Sequence, residues 1–186
     1  MPNENVKNAV TKSIEDIKAN PKAADVFFKV KTELIEGVQC SAQVRDLPKI
    51  IIDELPQLGG HNAGPNPVEL LLVSLGTCQE IMYSAYAAVM GINLDSVKVT
   101  LQGDIDLRGM LGLDENIPSG YNKISFKTHI QSDADEETLM NLIEAVEEHC
   151  PVMDTILREI SISGSAEVNG KELFRSVAKK ARVQAN

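Results

Sequence analysis

The sequence predicts an α+β fold, with antiparallel strand meanders around one long, almost uncharged helix. Three observations carry this. Residues 26–52 alternate with a period of two. Residues 67–90 read as a single helix whose only charges are Glu69 and Glu80. Two strand-like stretches, a second amphipathic helix and a last strand then follow without an intervening linker.

Taken in order, Asn3 to Ala19 is expected to be an amphipathic helix, because Val6, Val10, Ile14 and Ile17 recur at helical spacing. Asn20-Pro21 ends it, since the residue before proline is pushed out of helical geometry. From Val26 onward Phe28, Val30, Thr32 and Leu34 alternate with more polar neighbours, and after Gly37 so do Val38, Cys40, Ala42 and Val44. Lys49 to Ile52 offers a third strand. Gly59 to Pro65 is loop chemistry. Asn66 is then a good N-cap, Pro67 suits the first helical position, and Glu69 completes a capping box. Gly91 suits the far cap. These 24 residues span about 36 Å. A helix apolar on all sides is expected to be buried. Leu94 to Leu107 and Tyr121 to Ile130 read as strands flanking a polar loop. Asp135 to His149 reads as a helix, Pro151 opens a short one through Leu157, and Ile160 to Val168 reads as the last strand. Lys171 to Arg182 is expected to be a basic terminal helix.

Composition narrows the function. The 186 residues suit one domain. A net charge of −9 repels phosphate backbones and anionic membranes, so neither nucleic acid nor a membrane is expected as partner. Four phenylalanines, three tyrosines and no tryptophan argue against a stacking platform for bases. The N-terminal stretch MPNENVKNAV has no apolar secretion segment, which implies a cytoplasmic location. Three cysteines are too few for a disulfide scaffold. No metal is expected, because His61, His129 and His149 lack ligand spacing and there is no Cys-x-x-Cys. No cofactor is expected either. The GGHNAGP loop lacks the lysine and hydroxyl of a phosphate-binding loop.

The thiols leave alternatives open. Cys78 lies mid-helix, and a free cysteine there is commonly plain core; burial would raise its pKa, so a reactive Cys78 needs a cation brought to it. Cys150 sits between His149 and Pro151, where a helix can start. Partial positive charge at that end lowers a thiol pKa, which locally favours Cys150 as the more acidic thiol. Cys40 reads as packing.

The stretch GGHNAGPNPVELLLVSLGTC at residues 59–78, followed by HCPVMDTI at 149–156, resembles the OsmC/Ohr superfamily of osmotically induced and organic-hydroperoxide-resistance proteins. The resemblance covers about residues 27–168 of a single domain. The N-terminal helix and the basic terminal helix lie outside it. It implies a homodimer whose two chains interlock around their central helices, with a site at each end of the interface. It also implies a thiol peroxidase of the peroxiredoxin type. Cys78 would attack an organic hydroperoxide, Cys150 would resolve the sulfenic acid, and a dithiol or lipoyl reductant would recycle the disulfide. Arg45 would supply the cation beside the thiolate. The family's peroxidase branches place a glutamate directly after Asn-Pro. Here that position is Val68 and Glu69 follows it, so Glu69 is the carboxylate left to play that part. The rival expectation is a dimer that holds a small apolar ligand or senses oxidants without turnover.

Overall fold

The computed structural model describes residues 3–177. The chain opens with α1 (Glu4–Ala19), capped by Asn3, whose side chain accepts from the Val6 N–H. Strands β1 (Val30–Glu36), β2 (Gln39–Val44) and β3 (Ile50–Ile52) form an antiparallel sheet in that order. Val30 pairs with Val44 and Cys40 with Ile52. Gly37 turns the first hairpin at φ 57°, a backbone region that glycine enters without steric cost.

Helix α2 (Pro67–Met90) has the limits its caps predict. Asn66 accepts from the Glu69 N–H at 2.9 Å, and Glu69 accepts from the Asn66 N–H at 2.8 Å. Gly91 ends the helix at φ 76°. Strands β4 (Ser96–Ile105) and β5 (Tyr121–Gln131) pair antiparallel, with Val97 opposite Ile130 and Gly103 opposite Ile124. Between them lies the short α3 (Leu107–Met110). Helices α4 (Glu136–His149) and α5 (Pro151–Leu157) follow, and β6 (Ser163–Val168) and β7 (Lys171–Val177) make a closing hairpin.

The core lies between α2 and α4. Tyr83, Ala87, Ile92, Leu142 and Val146 form a buried cluster that β4 and β5 cover through Val97 and Ile130. Leu142 and Val146 are the inner stripe of an amphipathic helix, so α4 pairs its apolar face with α2 and leaves its glutamates in solvent.

Four expectations need correction. The segment 171–182 was expected as a helix, yet Lys171–Val177 is a strand, and residues 178–182 lie outside the described residues. Asn169 and Gly170, at φ 52° and 80°, build the two-residue hairpin turn that Asn-Gly favours, and this pairs residue 168 with 171. The first strand starts at Val30; Phe27 and Phe28 precede it with 90% and 91% of their surface exposed. The fourth strand ends at Ile105, because the Asp106 side chain accepts from the Arg108 N–H and starts α3. The central helix is buried on one side only. Leu75, Gln79, Tyr83 and Ala87 face the core, whereas Val73 (51% exposed) and Ile81 (66%) look away from it. One chain has too few elements to wrap both sides.

Candidate active site

The two cysteines that the resemblance singles out meet in space. Cys78 sits near the middle of α2, half-buried, and Cys150 is fully buried at the joint between α4 and α5. Cys150 ends one helix and caps the next, and its carbonyl accepts from the Asp154 N–H at 2.9 Å. Its side chain makes no capping bond to α5; instead its thiol lies beside Cys78 and raises that thiol's pKa. Both are free thiols.

Burial is the main influence on Cys78 and pushes its pKa up. The Val152 N–H opposes this by hydrogen-bonding the sulfur, while the Cys150 thiol adds to the rise. The net direction is upward. Pro151 at the first position of α5 has no N–H, so Val152 offers the first donor of that helix, and it serves Cys78. The local argument that gave this helix end to Cys150 therefore missed the thiol packed against it. His149 does not bear on Cys78. Its Nδ1 lies 3.0 Å from the Ala145 carbonyl, and its ring tilts against Tyr86 at 5.6 Å.

Arg45 stands apart from the thiols within one chain. It is exposed just past β2, at φ 49°, and no influence of it reaches Cys78. It lines a surface cavity of about 440 Å³ together with Phe27, Phe28, Lys29 and Lys31. Glu69 is engaged in the capping box. Nine residues of helix place it about 14 Å along the axis from Cys78, too far to touch it in the same chain. Val68 occupies the position after Asn-Pro, and its carbonyl accepts from the Tyr121 hydroxyl at 2.9 Å.

Sequence reasoning passed over Asp53. This carboxylate is 1% exposed at the end of β3 and accepts from the N–H groups of Glu54, His61 and Ala63 at 2.9, 3.0 and 3.1 Å. An aspartate directly after three isoleucines and ahead of a glycine-rich loop was the available signal, since a buried carboxylate must find donors. Among the described residues no group of His, Cys, Asp and Glu has the makings of a metal site. No described helix is long and apolar enough to cross a membrane.

The fold has known counterparts. An OsmC-like protein from Mycoplasma pneumoniae superposes with a TM-score of 0.61 at 20% identity, covering 72% of this chain and 89% of that one. A structure from Legionella pneumophila, titled an organic hydroperoxide resistance protein OsmC, gives 0.54 at 20% identity, over 71% and 91%. An organic hydroperoxide resistance protein from Elizabethkingia anophelis gives 0.53 at 16% identity, over 70% and 89%. No curated protein matches. Residues 60–164, which hold the glycine-rich loop, the Asn-Pro helix start and both meeting cysteines, match the family described as OsmC-like protein. The chain thus belongs to the OsmC/Ohr superfamily.

Proposed function

We propose that this protein is a thiol peroxidase acting on organic hydroperoxides. The pairing of Cys78 and Cys150 carries the reading: two free thiols, one half-open and one fully buried, close enough that Cys150 raises the Cys78 pKa. The Cys78 thiolate attacks the terminal peroxide oxygen, the O–O bond breaks, and the alkoxide leaves as an alcohol after taking a proton. Cys78 is then a sulfenic acid. The Cys150 sulfur displaces its hydroxyl as water and forms a disulfide. A dithiol or lipoyl reductant gives up two electrons and two protons to restore both thiols.

Burial raises the Cys78 pKa, so the attacking thiolate needs a cation that its own chain does not bring. Arg45 supplies it in a homodimer, reaching Cys78 of a second copy across the interface. The exposed side of α2 at Val73 and Ile81 supports such an assembly. Val68 and the raised Cys78 pKa favour a second reading, a dimer that binds an apolar ligand or senses oxidants without efficient turnover.

The test treats each single Cys→Ser variant with an organic hydroperoxide and traps sulfenic acid with a dimedone-type reagent. Cys150→Ser should accumulate label at Cys78, and Cys78→Ser should show none at Cys150. No label in either variant, with no disulfide in the parent, would sink the peroxidase and leave the binding dimer.

A further inference from the structure

We infer that Asp53 is a positioning residue for the thiol site: it fixes the Arg45-bearing sheet on the start of α2 in its own chain, and so sets where Arg45 stands at the thiol of the second copy. The inference rests on the peroxidase reading above, in which Arg45 stabilises the Cys78 thiolate.

Residues 53–66 are the hydrogen-bonded bridge between the β1–β3 sheet and α2. At its centre is the Asp53 carboxylate. One oxygen accepts from the Glu54 N–H, the other from both the His61 and Ala63 N–H groups. Gln39, on the same strand that leads to Arg45, helps to hold the Asp53 pKa down. The Asp53 N–H reaches the Pro65 carbonyl at 3.4 Å, and Asn62 N–H donates to the Glu54 carbonyl at 3.1 Å. Glu54 then accepts from the Asn66 side chain at 3.3 Å, which ties the bridge to the cap residue of α2. A single buried charge thus holds the end of β3, the loop and the helix start together.

The glycines show how closely the loop is folded back. A Cβ at Gly60 would lie 1.9 Å from the Glu54 carbonyl oxygen and 2.8 Å from an Asp53 carboxylate oxygen. A Cβ at Gly64 would lie 2.2 Å from the Ile51 carbonyl oxygen. The loop therefore has no slack against β3. Three backbone hydrogen bonds converge on one acceptor group, and a carboxylate binds them more strongly than an amide oxygen does. An asparagine of the same shape would put an N–H₂ against backbone donors and repel at least one of them. Beyond that loop the sheet offers the rest of its own chain little apolar area: every residue of β1 is exposed. Loosening the clamp should therefore let the sheet swing on its own α2 and carry Arg45 away from the Cys78 thiol of the second copy.

The experiment measures alkylation rate of Cys78 against pH in the full-length dimer, in a Cys40→Ser/Cys150→Ser background. Arg45→Met should move the midpoint to higher pH, because a cation beside the thiolate is lost. Asp53→Asn should move it the same way and slow alkylation several-fold at pH 7, with the circular dichroism and the sedimenting mass unchanged. The double variant should be no slower than Arg45→Met alone. If Arg45→Met has no effect, the Arg45 reading itself fails and the role of Asp53 falls with it. If Arg45→Met acts but Asp53→Asn leaves the profile unmoved, or the two effects multiply, only the positioning role is overturned. Should Asp53→Asn fail to fold, Gln39→Met carries the test, since it removes a polar side chain that helps to lower the Asp53 pKa and leaves the charge. It should shift the midpoint upward by less than Arg45→Met, and no shift overturns the inference.

Discussion

The backbone N–H of Val152 hydrogen-bonds the sulfur of Cys78, so the second residue of a seven-residue helix serves a thiol 74 positions earlier in the chain. The proline before it cannot donate, and the cap residue turns its own thiol toward the same sulfur. The Cys-Pro step thereby places one stabilising donor and a second thiol against the same atom.

Replacing Cys150 with alanine removes a neighbouring thiol that raises the Cys78 pKa. The alkylation midpoint of Cys78 should therefore move to lower pH in Cys150→Ala. A midpoint that stays put or rises would show that the two thiols do not titrate as neighbours.

Ile81 is 66% exposed on the side of α2 that the chain leaves uncovered. In a homodimer Ile81→Glu would bury an unpaired carboxylate, at a cost of several kcal/mol. Sedimentation at micromolar concentration should show loss of the dimer together with loss of helical signal, because the core is shared. A parent protein that sediments as a stable folded monomer would defeat the prediction.

Leu142 has no exposed surface and anchors the cluster between α2 and α4. Leu142→Ala should destabilise the protein by about 3 kcal/mol, through lost burial and the cavity left behind. Urea unfolding at fixed protein concentration reads this directly, and a loss below about 1 kcal/mol would mean that the site collapses around the smaller side chain.

Asp53 gives the fold an acid limit. The Ala63 N–H, followed by those of Glu54 and His61 and by Gln39, holds its pKa below the ordinary 3.8, against the opposing pull of burial. A depressed carboxyl stabilises the folded state fully above its unfolded pKa. That contribution fades as pH falls below about 3.8 and through the lower folded value. The stability gap between the parent and Asp53→Asn should be constant from pH 7 to 5 and close below pH 4. A gap that persists at pH 2 would show that the carboxylate charge is not what holds the loop.

Much of the secondary structure was legible because its signals are local. Asn66, Pro67, Glu69 and Gly91 set the ends of α2 through bonds reaching no more than a few residues. Alternation placed β2, and the stripe Leu139, Leu142, Ile143 and Val146 placed α4. The closing strand was equally local: Asn169-Gly170 is a hairpin signal, but the basic composition after it drew the reading toward a helix.

The sequence by itself determined the α+β class, the central helix with its caps, and the two cysteines whose contexts resemble the family. Those features depend on neighbours in the chain or on a pattern of residue types. Only the tertiary structure decided which thiol receives the α5 donor, that Cys78 and Cys150 lie against each other, and that Asp53 clamps the glycine-rich loop. Each of these sets a polar atom in low-dielectric surroundings against partners that spacing alone does not identify. Burial makes such partners obligatory, and the packing of α2, β3 and α5 selects which atoms they are.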